Sequence, residues 1–532
     1  MPFREWFASK SFVVVRRAPM SNSILSYRSA RLACRSLIAV VVSAAAVGCA
    51  TADPPTANPA PAAAAATCNC GDASTGQNST DASGEFPSTP QLANLSIVAT
   101  SSVNVRLTWQ PVQGCTVNIE RHLQQSPEWD FAGTKDCAHG RFLDLGLRPE
   151  KTYLYRISTC VGDVCGDPVP LDPVVTQKRY APTFEFIDGT EFDDRLFLFG
   201  SYSFSDLKTS HIMAVDRGGT LQWEYYSPDG GWVSETEPLL DRNQVAACMG
   251  PFFEIVDLDG TSLYSWSDSF VTQDINKMQD GRFDVIAYDM FQDPPGFDIL
   301  GDQIQIINTS TPPNGAVDWF WRGRDHIPLT DVSPSDMANV MRGLGHDWTH
   351  ANKLIFDEPT ATMYFAVRNL DQIFAINYPN GDLQWVMGNN VDLAMPQSQY
   401  VGFGAGLWSH AHGLSFEPPN RFLMFDNGLK RAGTTEDTYY SRAIEIQFDA
   451  SVPEAHITWQ YPPDPKHSFY SADMGSVTRL DNNNILVSDG ILGDLFEITQ
   501  ADNQVIWQIS RSDSTVVVYT VHAVPWSFLK DW

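Results

Sequence analysis

The sequence predicts an all-β protein: a six-bladed β-propeller preceded by a small β-sandwich. Three observations carry this. Between residues 178 and 532 an apolar strand, a turn with Gly, Asn or Asp, and a strand ending in Trp recur six times. Such a unit can bury its apolar face only against its neighbours, so its repetition marks a ring or solenoid. Between residues 89 and 177, apolar and polar residues alternate with period two, as in half-buried strands. Aromatic residues make up 12% of the chain, with 15 Trp, while charged residues make up only 18%, a composition of packed sheets rather than of coiled coil or disorder.

The chain begins with an export pattern. Arg28, Arg31 and Arg35 precede an apolar run from Leu37 to Val47 that meets Gly48-Cys49. The run is too short to span a bilayer and has the charged, apolar, small-residue order of a signal peptide. Ala46-Val47-Gly48-Cys49 resembles a bacterial lipobox, which implies a lipid on Cys49 and a membrane-anchored lipoprotein of the cell envelope, at the outer membrane. Residues 1–48 therefore read as signal peptide and 49–88 as a linker, rich in Ala, Pro, Thr, Ser and Gly and too poor in large apolar residues to fold. Lys and Arg number 35 against 63 Asp and Glu, a net charge of -28; without residues 1–48, which hold seven Lys/Arg and one Glu, it becomes -34. No broad basic face for nucleic acid is available.

Residues 89–177 supply the sandwich. Its strands are expected around Val103-Val105-Leu107-Trp109, Val117-Ile119 and Tyr153-Tyr155-Ile157. Leu147 to Tyr153 with Tyr155 and Ile157 resembles the late-strand signature of fibronectin type III domains, with Trp109 in the place of their core Trp. Cys115, Cys137, Cys160 and Cys165 all fall here, and in an exported chain they predict two disulfides, with three pairings open. Cys248 is left as a free, buried thiol. The module reads as a docking or dimerising element, which admits a homodimer, or as a spacer.

The repeats run from Ile212–Val215 to Trp223, Phe253–Val256 to Trp266, Ile304–Ile307 to Trp319, Ile373–Ile376 to Trp385, Ala443–Ile446 to Trp459 and Leu495–Ile498 to Trp507. A second hairpin precedes each, as at Met278–Ile286, Leu414–Phe425 and Val477–Val487. Two hairpins per unit give four-stranded blades. The repeated Trp is expected to pack between blades. Propellers line their channel with the starts of the innermost strands. Counting back eight residues from the first turn reaches Gln273, His350, His412 and Met474, which sets two His at matching positions of adjacent blades. Clustered titratable groups in a cavity are what catalysis requires.

Several motifs in this part are specific: Asp347-Trp348-Thr349-His350-Ala351-Asn352, Val367-Arg368-Asn369-Leu370-Asp371, His412 ahead of Phe425-Asp426-Asn427-Gly428, Ser441-Arg442-Ala443-Ile444-Glu445, and Tyr470-Ser471 to Gly475-Ser476-Val477. Together they resemble the bacterial arylsulfate sulfotransferases that do not use a nucleotide donor. The resemblance implies a six-bladed propeller and ping-pong transfer of a sulfuryl group from a phenolic sulfate donor to a phenol acceptor through a sulfohistidine, with no cofactor and no metal. It implies His412 as nucleophile, with His350 and Arg368 binding and polarising the sulfuryl group and Asn352 as a further donor. A neutral imidazole is a good nucleophile, and a planar guanidinium suits an oxyanion. The chain also lacks a Gly-x-x-x-x-Gly-Lys-[Ser/Thr] loop. Gln273 stands where the family carries another His; an amide can donate to an oxyanion but cannot shuttle a proton. His410 is the rival nucleophile, expected on the same strand face as His412. Arg442 is either a site residue or an ion-pair partner of Glu445 or Asp449. The competing reading is a catalytically inactive propeller that binds a ligand or partner.

Overall fold

The computed structural model describes residues 89–532 apart from 190–192, 204–209, 227–231, 268–269, 311–314, 330–333, 342, 390–399, 466–468 and 514–515. The signal segment, Cys49 and the linker lie outside the described residues. So do Cys68 and Cys70.

The sandwich has one sheet of Ser96–Ala99, Val105–Thr108 and Arg141–Asp144. The facing sheet holds Asp130–Asp136, Thr116–Leu123 and Thr152–Val161, with short strands at Val164–Cys165, Val169–Pro170 and Val174–Val175. Alternation does the work expected of it: Tyr153, Tyr155 and Ile157 point inward and meet Val105, Leu107, Trp109, Val117 and Ile119. The pairing left open by the sequence is Cys115 with Cys137 and Cys160 with Cys165, the latter joining residues opposite one another in a hairpin. Cys248 is free and buried, and burial pushes its thiol well up, so it carries no nucleophilic thiolate at neutral pH. The sandwich is fastened to the propeller by polar contacts. Arg106 Nη1 lies 2.6 Å from Asp259 Oδ2, Asn104 Nδ2 donates to the Gln222 carbonyl at 2.9 Å, and Ser102 N donates to Glu224 Oε1 at 2.9 Å.

Six antiparallel blades follow, each given from its inner strand outward. Blade 2 is Val233–Leu239, Gln244–Met249, Phe252–Asp257 and Ser262–Trp266. Blade 3 is Val271–Lys277, Phe283–Gln292, Asp298–Asn308 and Ala316–Arg322, extended by Gly345–Asp347 and Val340–Met341. Blade 4 is Ala351–Asp357, Thr362–Val367, Gln372–Asn377 and Leu383–Gly388, with Tyr400–Phe403 outside it. Blade 5 is His412–Glu417, Arg421–Asp426, Arg442–Asp449 and Glu454–Tyr461. Blades 1 and 6 close the ring by exchange. Val516–Pro525, near the C-terminus, is the inner strand of blade 1, ahead of Arg195–Ser203, Ser210–Val215 and Leu221–Tyr226. Phe184–Gly189 adds a fifth, outer strand to blade 6, which is Ser476–Arg479, Ile485–Ser488, Asp494–Ile498 and Val505–Arg511.

The repeated Trp packs between blades. In five blades it lies opposite the third residue of the preceding apolar strand: Ala214, Ile306, Ala375, Glu445 and Glu497. In blade 2 Tyr264 takes that place, and Trp266 pairs with Phe253. Three of the indole N–H groups reach a turn carbonyl of the next blade: Trp223 to Leu258 at 2.6 Å, Trp319 to Pro379 at 2.8 Å, and Trp507 to Arg217 at 2.8 Å. One aromatic residue thus fills the wedge between two twisted sheets and fixes their spacing, with its polar edge satisfied in these three blades, while the indole N–H groups of Trp266 and Trp459 are buried without a partner among the described residues.

Candidate active site

The inner strands of blades 3 to 6 start in an unusual backbone state. Gln273, His350, His410 and Met474 have φ of 67°, 51°, 51° and 62°, the left-handed region that glycine favours. Such residues cost on the order of 1–3 kcal/mol each and persist where surrounding contacts fix them, often at functional sites. The contacts here are carboxylates. Asp302 Oδ2 accepts from Thr349 Oγ1 at 2.6 Å and from Ala351 N at 2.7 Å, the Asp371 carboxylate accepts from His410 N, and Asp426 Oδ1 accepts from Ser409 N at 3.0 Å. Burial pushes Asp302 up to about 7 and Asp371 up to about 6.

The register of blades 4 and 5 corrects the count made from sequence. Asn369 N donates to the Thr349 carbonyl, and Gly428 N donates to the Ser409 carbonyl in the same way, so the partner of His350 in blade 5 is His410. The turn of blade 5 begins at Pro418, just after the Glu417–Arg421 pair, whereas the count had started from Asn420. His412 lies two residues farther in, followed by a bulge before Leu414. The left-handed turn at His410 also breaks the alternation that would have set it on the face of His412.

That offset gives the two imidazoles different surroundings. His412 is 5% exposed; its Nδ1–H donates to the Gly475 carbonyl at 3.0 Å, and its ring stands edge-on to Tyr519 with centroids 4.7 Å apart. Bonding at Nδ1 leaves the lone pair on Nε2. Burial pushes the ring down to about 3; the Gly475 carbonyl pulls the other way, and the positive charges of His350 and Arg368 add to the lowering. His410 is enclosed instead. Its Nε2 is sealed from solvent, 3.5 Å from Asp336 Oδ1, and its Nδ1 lies 3.8 Å from Asp371 Oδ1.

His350 and Arg368 stand near His412, and Asn352 braces its strand. His350 Nδ1–H donates to Asp347 Oδ2 at 2.7 Å. Arg368 is buried, and its Nη2 donates to Asp473 Oδ1 at 2.8 Å while Nη1 donates to Asn369 Oδ1 at 3.0 Å. Asp473 is half exposed, so this pair is open to exchange with an anion. Asn352 is buried and donates to the Ala411 carbonyl at 3.0 Å, bracing blade 4 against the strand that carries His412. The Gln273 amide, 6% exposed, has no hydrogen-bond partner among the described residues. Arg442 pairs with neither Glu445 nor Asp449. Sheet register sets it opposite Asp426, where Nε donates to Oδ2 at 2.8 Å, Nη1 to Gln460 at 2.9 Å and Nη2 to the Leu407 carbonyl at 2.6 Å.

Sequence reasoning missed the aromatic and apolar wall. Met474, Val517 and Tyr519 pack together with Trp232 and Ile491, drawing on blades 1, 2 and 6. No local pattern marks Tyr519, because its strand joins blade 1 from the far end of the chain. Farther along the inner strands lies a polar cluster. Lys353 Nζ is 2.7 Å from Asp274 Oδ1 and 3.6 Å from Glu235 Oε2, while His522 Nε2 is 3.1 Å from Glu235 Oε1 and Thr520 Oγ1 donates to Glu235 at 2.8 Å. Four blades meet through these side chains. No group of side chains suited to hold a metal ion occurs among the described residues.

The model of one protein family, described as arylsulfotransferase (ASST), matches residues 188–523. The chain belongs to the arylsulfotransferase family. The arylsulfotransferase match runs from the closing strand of blade 6 into the closing strand of blade 1, takes in every residue placed around His412, and leaves out the sandwich. No curated protein matches the sequence. Among solved structures, a protein of unknown function from Bacteroides caccae is 12% identical with a TM-score of 0.40, covering 62% of this chain and 99% of its own. The periplasmic gluconolactonase of Pseudomonas aeruginosa is 10% identical with a TM-score of 0.37, over 62% and 99%. AztD of Citrobacter koseri is 12% identical with a TM-score of 0.27, over 78% and 98%.

Proposed function

We propose that this arylsulfotransferase moves a sulfuryl group from a phenolic sulfate ester to a phenol in two steps, with His412 as the covalent carrier. One observation carries the reading: a buried imidazole whose Nδ1–H is held by the Gly475 carbonyl, so that Nε2 is an unprotonated nucleophile at neutral pH. The sulfuryl oxygens are taken by Arg368, released from Asp473, and by His350 and Gln273. Preorganised donors of this kind act where charge accumulates in the transition state. Tyr519, Met474 and Trp232 offer the aryl ring an apolar wall. Export and anchoring at Cys49 belong to the same proposal, supported by two disulfides that need an oxidising compartment.

The test is incubation with 4-nitrophenyl sulfate and a phenol acceptor. Expected are a burst of nitrophenolate stoichiometric with enzyme, acceptor-dependent turnover after it, and a sulfuryl mass on the His412 peptide when acceptor is left out.

Two predictions belong here. The first concerns pH. An ordinary His has a pKa near 6.5, so its neutral fraction falls roughly 20-fold or more between pH 7 and pH 5. His412, held at about 3, stays neutral over that range. The burst rate with 4-nitrophenyl sulfate, whose leaving group departs without an acid, is therefore expected to change by less than about twofold; a 20-fold fall would assign the attack to an unshifted imidazole. The second concerns Gln273. Losing one oxyanion donor costs about 10²–10³ in rate, and an amide replaces part of that. Gln273→His is expected to raise turnover and to add an ionisation between about pH 5 and 8. If wild type shows no burst and Gln273→His restores none, the chain is a binding propeller.

A further inference from the structure

Sulfuryl transfer between two phenols needs proton traffic as well as a carrier. When His412 Nε2 forms its bond to sulfur, the sulfur–oxygen bond to the aryl group breaks and the electron pair goes to the aryl oxygen. An unactivated phenolate leaves well only if it is protonated as it departs. In the second step the acceptor phenol must lose its proton as its oxygen attacks sulfur and the nitrogen–sulfur pair returns to His412. One group therefore has to give a proton and later take one back.

The candidates near His412 are few. Arg368 does not release a proton, and Gln273 has none to exchange. The His412 ring is the nucleophile. His410 Nε2 and the Tyr519 hydroxyl are closed off from solvent, and Asp473 is held in its pair with Arg368. His350 remains, and its geometry fits the task. Its Nδ1 is 2.7 Å from Asp347 Oδ2, and its Nε2 has no hydrogen-bond partner among the described residues and is not sealed from solvent. Asp347 is itself 3% exposed and fixed at both ends of its peptide unit: its N donates to the Asn339 carbonyl at 2.8 Å, and its carbonyl accepts from Asn369 Nδ2 at 3.1 Å. The left-handed turn at His350 lets the ring fold back onto a carboxylate three residues earlier.

We propose that Asp347 is a positioning residue that keeps a proton on His350, so that His350 Nε2–H protonates the leaving phenol and the same nitrogen then receives the proton of the acceptor. This rests on the sulfuryl-transfer reading above. The balance closes. In the first step His350 gives up Nε2–H and becomes neutral, with Nδ1–H still held by Asp347, while the aryl oxygen becomes a phenol. In the second step the acceptor's proton returns to Nε2. The charged and titratable groups facing the pair are Asp302 from blade 3, Arg368 from blade 4 and His412 from blade 5; behind these, Asp473 ahead of blade 6 faces Arg368, and Tyr519 from blade 1 faces His412. Burial alone would push Asp347 up, but His350 and Arg368 outweigh it and hold it below the ordinary carboxylate range, so it stays an anion beside the ring.

The experiment compares two donors in the full-length chain. 4-Nitrophenyl sulfate needs no acid to depart, and phenyl sulfate does. Asp347→Asn is expected to lower kcat/KM by roughly 10²-fold for phenyl sulfate, within the usual range for a general acid, and by less than about fivefold for 4-nitrophenyl sulfate. Equal losses with both donors would mean a merely structural role and overturn the proposal. NMR of the imidazole N–H protons supplies the readout apart from activity. The proton on His350 Nδ1 is expected to resonate far downfield, as a strongly hydrogen-bonded imidazole N–H, in wild type and to lose that shift in Asp347→Asn. A wild-type His350 without a strongly hydrogen-bonded Nδ1 proton overturns the proposal even where the variant does not fold. If wild type forms no adduct on His412 with either donor, the transfer reading itself is what fails.

Discussion

His412→Ala is expected to lower sulfuryl transfer by about 10⁴-fold or more and to leave no sulfuryl mass on the enzyme after exposure to donor alone. Losses of this size are typical when a covalent nucleophile that works as a unit with its partners is removed. The control is His410→Ala. His410 matches His350 in blade register, but its Nε2 is buried beside Asp336 and lacks the open lone pair of His412. Its removal is expected to lower stability while the adduct on His412 still forms. Peptide mapping of donor-treated protein decides the point. An adduct that survives in His412→Ala, or disappears only in His410→Ala, would move the nucleophile to the other ring.

The second large effect is on stability. Lys353→Met removes the cation that sits between Asp274 and Glu235. Both carboxylates are buried, and breaking such a pair from one side leaves charge without a partner, at a cost of about 3–5 kcal/mol. The pH dependence has a definite sign. With Lys353 present, Glu235 is held low, because Lys353 and His522 outweigh burial. Asp274 is raised on balance, because burial outweighs the pull of Lys353. Without Lys353, both folded carboxylates titrate higher than they do in the unfolded chain. The folded state then binds more protons than the unfolded state, and stability rises as pH falls. The loss in Lys353→Met should be near its full value at pH 8 and smaller at pH 5, as read from denaturant midpoints at each pH. A loss under about 1 kcal/mol at pH 8, or one that grows toward pH 5, would show that the ion pair does not hold the blades.

Much of the fold was legible because it repeats. The six strand–turn–Trp units each specify a hairpin locally, and the alternation at Tyr153, Tyr155 and Ile157 specifies the sandwich in the same local way. His350, Arg368 and His412 were legible because each sits in a compact motif. Distant pairing was not. Phe184–Gly189 and Val516–Pro525 find their partners at opposite ends of the chain, and nothing in either segment says which blade it completes. The mismatch in blade 5 came from a single turn: Pro418, Pro419 and Asn420 all read as turn residues, and only the sheet register shows where the turn begins. Asp426 as the partner of Arg442, and Asp274 and Glu235 as partners of Lys353, were hidden for the same reason. Each pair joins different strands, and a charge in an alternating strand does not announce the strand it will face.

The exchange of strands between the first and last blades also bears on when the protein can work during its synthesis. Tyr519, the ring against His412, and Thr520 and His522, which grip Glu235, all lie on Val516–Pro525. Blade 1 has no inner strand until that segment has been made. A nascent chain that already contains His350, Arg368 and His412 therefore still lacks one wall of the pocket and one side of the polar cluster beyond it. The His412 imidazole acquires its aromatic neighbour only with Val516–Pro525. Closure of the ring and assembly of the pocket therefore both wait on Val516–Pro525.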